Sequence, residues 1–525
     1  MTSMVVPAVV QPAWVVRLPV QGLALGLLSA LGFAPLGWWV VCLLSTGALY
    51  GLVLRSPSPG AASAQGLAYG VGLHALAHGW IYTSLHNHVT PNPLVAASFT
   101  LAVLALLGAC YAAAATWSWY MTRAWPQRDT IATVSTFASC MTLWEWGRSQ
   151  VTLGFSSGNV GYAMMDSWLS SLAPWLGLYG VTWCVYAIGA ASFAALFPQV
   201  ATARTARGKL LGAACAMLVV CAVLDSWPVQ TQAFGPVLTY KLVQTGTPQN
   251  QKFDPRERRR ISNAVTAQVA DPEPANLVVT SETVYPFMLH ELPAEAMQDI
   301  AGQSERSDAH MFLGIATSSA DNRQFNSYLH MQPGRRHFER YDKVHLMPMG
   351  EFTPPGLSLL TAGVRIPMSD MSAGAAMQAP FMVQVAGHTL AVATLMCQED
   401  MVNDTAMRWT TAPNLILNPS NMAWFDATAA PEQRLQVARM RAKEVGLPLL
   451  RATPTGVTSA IDELGRVKNA LATPGAGTLR GQIQARTGTT LFAKAGNFPI
   501  LALCALTVIC SFWLMPKQSK NSNNK

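Results

Sequence analysis

Three residues far apart in the chain are of types that together perform acyl transfer: Glu282, Lys343 and Cys397. Cys397 sits in Thr394-Leu-Met-Cys-Gln-Glu-Asp400, directly after the apolar run Thr389–Thr394. That run reads as a buried strand, which puts the thiol at a strand end, where a side chain is both held and accessible. The chain has nine cysteines. Cys42, Cys110, Cys140, Cys184, Cys215, Cys221, Cys504 and Cys510 all lie in long apolar runs, and Cys397 alone lies in the polar region 228–497. A solitary thiol has no disulfide partner and too few companions for a zinc site. Two readings remain for it, a small core residue or a nucleophile.

Glu282 lies in Thr280-Ser-Glu-Thr-Val-Tyr-Pro286, at the end of another buried run, and Lys343 in Arg340-Tyr-Asp-Lys-Val-His-Leu-Met-Pro-Met-Gly-Glu-Phe352. A nucleophilic thiol needs a base, and a carboxylate with a raised pKa can serve. A nearby ammonium favours the thiolate and steadies the oxyanion of a tetrahedral intermediate. The set is then complete without histidine. Taken singly, a Glu or a Lys is more often a solvated surface charge.

The elements that must position these groups fall into two unlike parts. The 525 residues are 51% hydrophobic and only 12% charged, with a mean hydropathy of +0.25. That is about half the charged content of a soluble domain. Residues 1–227 are nearly all apolar, 228–497 have ordinary soluble composition, and 498–525 are one more apolar run with a basic tail. Candidate spanning helices lie near 18–34, 38–54, 62–84, 94–121, 130–147, 170–197, 208–226 and 498–515. Most approach the ~20 residues a crossing needs, so a polytopic α-helical membrane protein of about eight spans is expected. The first run reads as a retained helix rather than a cleaved signal peptide, because its leader is weakly basic and more spans follow directly.

Orientation follows from Lys and Arg in the short loops. Arg17, Arg55, Arg123, Arg128, Arg204, Arg207, Lys209, Lys517, Lys520 and Lys525 fall on one side when the crossings alternate; Arg148 is the exception. Both termini are therefore expected in the cytoplasm and 228–497 outside. The net charge of +8 sits largely in these loops and needs no nucleic-acid partner.

Within 228–497, strand-like runs at 238–244, 276–280, 312–317, 327–331, 390–396, 414–418, 448–453 and 458–461 alternate with helical stretches at 254–270 and 431–445. Such alternation predicts an α/β layered fold with the acting residues at strand ends. Glu145 and Arg148, costly in lipid, read as a mutual ion pair. His74, His78, His86 and His88 lack ligand spacing, and no metal site is expected.

In these motifs the chain resembles the nitrilase superfamily, and specifically its membrane-embedded branch, the apolipoprotein N-acyltransferases. Thr280-Ser-Glu-Thr-x-x-Pro286 looks like the base motif, Tyr341-Asp-Lys-x-His-Leu-x-Pro-x-Gly-Glu-Phe-x-Pro354 the lysine motif, and Cys397-Gln-Glu399 the nucleophile. Ser420-Asn-x-x-Trp-Phe425, Gln436-Val-Ala-Arg-Met-Arg-Ala442, Gly446-x-Pro-Leu-Leu-Arg451 and Thr455-Gly456 are similar to the downstream signature; Phe33-Ala-Pro35, Gly154-Phe155 and Gly161-Tyr162 are similar to the membrane loops. The resemblance implies an extracytoplasmic αββα sandwich of nitrilase type on the membrane helices. It implies Glu282 as general base, Lys343 as oxyanion stabiliser and Cys397 as nucleophile. Glu351 and Glu399 would be supporting residues, and Phe253, Gln398, Trp424 and Phe425 would contact substrate.

The implied reaction moves a fatty acyl chain from a membrane phospholipid, through a Cys397 thioester, to the α-amine of a diacylglyceryl-cysteine apolipoprotein. It needs no cofactor and one chain, a monomer, in a bacterial inner membrane with the catalytic domain in the periplasm. The alternative is a membrane-tethered amidase or nitrilase that hydrolyses a small amide with the same triad. Apolar residues near the motifs (Tyr285–Leu289, Met347, Met349, Met422, Trp424 and Phe425) are expected to suit acyl chains. The chain departs from the family pattern at Gln398, Phe253, Asp426 and Arg434, where an aromatic, a Trp, a Gly and a His are usual.

Overall fold

The computed structural model describes residues 19–124, 130–152, 154–197, 204–335, 337–353, 368, 370–402, 409–425, 427–471 and 475–513. Arg17, Arg128, Pro354, Asp426, Lys517, Lys520 and Lys525 lie outside the described residues.

The first part is helical: α1 (Val20–Ala30), α2 (Trp39–Arg55), α3 (Pro59–His78), α4 (Trp80–His88), α5 (Pro93–Met121), α6 (Thr130–Val151), the short α7 (Val160–Ala163), α8 (Ala173–Leu196) and α9 (Arg204–Asp225). Three stretches are long and apolar enough to cross a membrane, Pro93–Met121, Trp168–Leu196 and Arg204–Asp225; α1 and α2 are shorter apolar helices. Their outward faces are apolar, with Leu94, Leu101 and Leu106 of α5 and Val219, Val220 and Val223 of α9 all exposed. Water would not tolerate such a surface, whereas lipid tails would.

Two expected segments differ in detail. The first helix stops at Ala30, since Pro35 and Gly37, at φ 65°, cannot continue it. The 62–84 segment divides at Gly79, a poor helix former, so that α4 leaves as a separate element.

Glu145 and Arg148 do form an ion pair, buried at 2.8 Å. The carboxylate also accepts from the Tyr111 hydroxyl, and Arg148 Nη1 donates to the Phe155 carbonyl at 3.0 Å. His74 and His78 face each other, Nδ1 to Nδ1, at 3.0 Å.

The second part carries two sheets. One has the order β13-β1-β2-β4-β5-β6, from β13 (Gly477–Thr487), β1 (Gln232–Gln244), β2 (Leu277–Thr280), β4 (His310–Ser318), β5 (Gln324–Met331) and β6 (Phe338–Asp342); β3 (Tyr285–Met288) also pairs with β4. The other has the order β12-β11-β10-β9-β8-β7, from β12 (Val467–Leu471), β11 (Thr458–Ile461), β10 (Leu449–Ala452), β9 (Leu415–Pro419), β8 (His388–Thr394) and β7 (Phe381–Val385). The central strands β1, β2 and β4 run parallel, as do β8, β9 and β10.

Period-two alternation explains the layers. In β2, Leu277 and Val279 face the second sheet, whereas Val278 faces the helices α11 (Arg258–Val269) and α12 (Ala294–Ser307). In β9, Leu415 and Leu417 face the first sheet, whereas Ile416 packs beside Ala438 and Ala442 of α13 (Ala430–Val445). Strands covered on both faces read as continuous apolar runs, as these do. The result is a helix–sheet–sheet–helix sandwich.

The short α10 (Gln249–Lys252) precedes α11, and α14 (Leu491–Ala495) and the apolar α15 (Phe498–Trp513) close the chain. The outer helix α13 is also the seam with the membrane part. Gln436 Oε1 accepts from the Ala34 N–H at 3.0 Å, and Trp80 Nε1 donates to Gln433 Oε1 at 3.1 Å. In α8, Gly177 takes φ 68° and breaks the ladder; Glu444 accepts the Leu178 N–H so released at 2.6 Å. A Cβ at Gly177 would run into the ring of Phe492, so the break and the docking of α14 depend on the same glycine.

Candidate active site

Each candidate residue stands just beyond a strand. Glu282 follows β2, in a turn whose next residue, Thr283, has φ 45°. The turn is anchored from β4: Gly314 N–H donates to Thr280 Oγ1 at 3.1 Å, and Tyr328 of β5 donates its hydroxyl to the Thr280 carbonyl at 2.8 Å. Gly314 lies against the backbone of the base turn, so that an added Cβ would meet the Ser281 carbonyl, with Thr283 N at 2.7 Å and Glu282 Cα at 2.9 Å. Gly314→Ala must therefore push the turn away. We expect turnover about 100-fold slower, because misplacing a reacting group by about 1 Å is enough for that. Wild-type single-turnover kinetics in this variant would refute the role.

Lys343 follows β6, with its N–H donated to the Asn326 carbonyl at 2.9 Å. Cys397 opens a single 3-10 turn, Cys397–Met401, three residues past β8, and has φ 45° itself. For a residue with a Cβ, that conformation is strained and persists only where neighbours enforce it. Arg434 of α13 is one enforcer: its Nη2 donates to the Cys397 carbonyl at 2.9 Å while pairing with Asp400. Asp400 in turn faces Arg451 of β10 at 3.4 Å, and Arg451 donates to Asn418.

The charged groups converge on the ammonium. Lys343 Nζ lies 2.7 Å from Glu282 Oε1 and 2.8 Å from Glu351 Oε2, with Lys343 and Glu282 only 1% and 3% exposed. Asn326 Nδ2 donates to both carboxylates, to Glu282 Oε1 at 2.7 Å. Asn421 N–H donates to the other oxygen, Glu282 Oε2, at 3.0 Å. Burial would raise the Glu282 carboxyl, but Lys343, with Lys252 behind it, outweighs burial and holds it below its ordinary value. Burial likewise opposes the Lys343 charge, and Glu282 and Glu351 overcome it, raising its affinity for the proton. The Cys397 thiol is pushed up to about 12, first by burial and then by the Glu282 charge, with Lys343 and Arg434 pulling the other way. At neutral pH the resting pair is thus a protonated thiol and an ionised carboxylate, and the raised carboxyl value expected of the base is not found.

Glu399 serves the backbone rather than the charges. Its carboxylate accepts from Val344 N–H and Met396 N–H at 2.7 Å, His345 N–H at 3.2 Å and the Tyr341 hydroxyl at 2.9 Å. It thereby ties the lysine loop to the nucleophile turn. Burial pushes its carboxyl up to about 7, against those N–H groups. Gln398 adds to the tie, donating to the carbonyls of His345 at 3.1 Å and Leu346 at 2.6 Å.

All three candidate residues line one cavity of about 440 Å³, with Glu351 and Asn326 beside them. Phe253, Gln398, Trp424 and Phe425 line it too, as do Met347 and Met349. Its far wall belongs to the membrane part: Leu85 of α4, Phe99, Val103 and Leu107 of α5, and Phe155. Trp80 packs edge-on to Phe425 at 4.8 Å and His88 to Trp424 at 5.7 Å, closing the seam.

One expectation fails. Tyr285 and Phe287 do not face this cavity; they pack with Ile261 and Val265 of α11, and Tyr285 reaches Thr266 Oγ1 at 3.0 Å. Strand β3 re-enters the sheet beside β4, and pleating sends both rings to the helix side. Sequence reasoning missed Asn326 and Lys252. Neither lies in a motif, although a lysine at 252 beside an aromatic in a short helical turn was a signal to follow.

Comparison with known proteins shows the family of the chain. Residues 25–191 match the family described as the apolipoprotein N-acyltransferase N-terminal domain, and 244–491 match carbon-nitrogen hydrolase. The chain is 32% identical over 502 residues to the apolipoprotein N-acyltransferase of Ralstonia nicotianae, covering 93% of this chain and 91% of that one. It is 33% identical over 548 residues to that of Bordetella bronchiseptica, with 96% and 98% covered. It is 31% identical over 509 residues to that of Nitrosomonas europaea, with 93% and 96% covered.

Proposed function

The chain belongs to the apolipoprotein N-acyltransferase family of the nitrilase superfamily, and on that premise we propose that it acylates lipoproteins in a bacterial inner membrane through a Cys397 thioester. The observation that carries the reading is the position of the cavity. A thiol, a carboxylate and an ammonium line it together with apolar side chains of α4 and α5. An acyl chain entering from lipid would lie along those side chains with its carbonyl at the sulfur.

The steps follow from the groups present. Glu282 takes the Cys397 proton as the sulfur attacks the ester carbonyl of a phospholipid, and Lys343 holds the oxyanion. Collapse breaks the ester C–O bond; the proton on Glu282 goes to the departing lysophospholipid oxygen, leaving the thioester. The α-amine of a diacylglyceryl-cysteine then attacks the thioester carbonyl and gives a proton to Glu282. The amide forms, the thiolate leaves, and that proton returns to sulfur. Glu351 orients Lys343, and Glu399 and Gln398 hold the lysine loop against the nucleophile turn.

The topology that suits this chemistry has both termini in the cytoplasm, about eight crossings, and 228–497 in the periplasm as the catalytic domain. The arginines and lysines of the short loops support that orientation. One chain supplies every group used. The test is to incubate the purified full-length protein with acyl-labelled phospholipid and then with a diacylglyceryl-cysteine peptide. Label should bind the protein and then move to the peptide amine. Release of ammonia from small amides without any acyl adduct would instead establish an amidase.

A further inference from the structure

A second buried ammonium stands behind the base. Lys252 ends α10, one turn long, and is 2% exposed, with its side chain directed inward. Its Nζ donates to Thr283 Oγ1 at 2.7 Å and to the Glu282 backbone carbonyl at 3.4 Å. With the Asn421 amide oriented so that its oxygen faces donors, that oxygen lies 3.2 Å from Lys252 Nζ and 3.3 Å from Trp424 Nε1.

These contacts hold both flanks of Glu282. Thr283, the residue after the base, is β-branched and in the left-handed region, which costs about 1–3 kcal/mol unless the surroundings impose it. Asn421, on the other flank, gives its N–H to Glu282 Oε2. One ammonium grips both. It also alters the charge of the site. Glu282 and Glu351 share the single cation Lys343, leaving an excess negative charge that Lys252 offsets. Moving the thiol proton to Glu282 keeps the sum unchanged, so the oxyanion forms in a site that is neutral beforehand rather than negative.

We propose that Lys252 is a positioning residue of the acyl-transfer reaction, fixing Glu282 through Thr283 and Asn421 and supplying the second positive charge beside the two carboxylates. The assignment rests on the function proposed above. The groups that face its ammonium are Glu282 and Thr283 from the turn after β2, Cys397 from the turn after β8, Asn421 from the segment after β9, and the ring of Phe253, next in sequence. Burial lowers Lys252 to about 8, against the pull of Glu282 and Cys397. The charge is thus complete at neutral pH and is lost as pH rises past that value.

The test uses single-turnover acylation of the full-length protein by labelled phospholipid between about pH 6 and pH 10, the range that brackets the Lys252 titration. Wild type should lose rate above about pH 8. Lys252→Met should acylate about 100-fold slower at pH 7, with half-saturation by phospholipid within about twofold and no alkaline fall. Lys252→Arg, always charged, should recover at least about tenfold of that loss and stay flat to pH 10. Lys252→Met at the wild-type rate overturns the proposal, as does Lys252→Arg with the wild-type alkaline fall. Should Lys252→Met not fold, the arginine profile decides alone. Absence of any adduct in wild type instead removes the acyl-transfer reading, and this assignment with it.

Discussion

Cys397→Ala should form no acyl-enzyme and transfer no acyl chain. The expected loss is about 10⁵-fold or more, the scale seen when a covalent nucleophile is deleted from an intact site. The other polar groups lining the described cavity are carboxylates, an ammonium already bound by two carboxylates, amides and the hydroxyls of Ser84, Thr152 and Thr283. A neutral hydroxyl is a far weaker nucleophile than a thiol and does not replace the sulfur. The fold should survive, because the 3-10 turn is held by the Glu399 carboxylate and by Arg434 through the backbone, not by the thiol. The check is labelled phospholipid followed by denaturing electrophoresis, with a melting curve as control. A retained label in Cys397→Ala, at a stability close to wild type, would place the nucleophile elsewhere.

Lys343→Met should be nearly as severe, and it should change the pH dependence as well. Removing the ammonium takes away the donor assigned to the oxyanion, worth about 10²–10³-fold. It also leaves Glu282 and Glu351 buried with Asn326 between them and no cation in direct contact. An uncompensated buried charge costs about 3–5 kcal/mol. In wild type, Glu282 is held below its ordinary value, so its stabilising contribution is present at neutral pH and lost as pH falls through that lowered value. Without Lys343, burial acts with less opposition and the carboxyl rises. The acid limb of the residual activity should therefore move to higher pH. The loss of stability should be largest near neutral pH and shrink as pH falls through the raised value of Glu282. Denaturant titrations and single-turnover rates across that range read both effects. An unchanged acid limb would mean that Lys343 does not govern the charge on Glu282.

The two effects differ in kind. On the proposed mechanism the cysteine contributes a bond, so its loss would be chemical and local. The lysine contributes a field, so its loss would reach Glu282 and Glu351, the carboxylates that face it.

Much of this was legible in order along the chain. The low charge and long apolar runs of the first 227 residues forecast helices with apolar outer faces, because lipid-facing composition is local information. The buried strands 276–280, 390–396 and 414–418 announced themselves as continuous apolar runs, since a strand covered on both faces cannot alternate. Glu282 and Cys397 stood out because each follows the end of such a run, and Lys343 because of the motif around it. Their pairing with Asn326 and Asn421 did not stand out, although Asn421 lies in a quoted motif. Asn326 lies 44 residues from Glu282 and Asn421 lies 139 away, and nothing in the spacing of either pair predicts a hydrogen bond.

The same is true of the rings. Tyr285 and Trp424 each lie close in sequence to a site motif, yet pleating turns Tyr285 to α11 while a 3-10 turn carries Trp424 into the cavity. Composition and periodicity therefore decide which segments become helix, strand or lipid-facing surface, since those depend on neighbours a few residues away. Which charge meets which, and which side of a strand faces the substrate, depends on two sheets and two helical layers closing on one another. Electrostatic and packing energies act across space, and short-range sequence order does not encode which distant residues they will join.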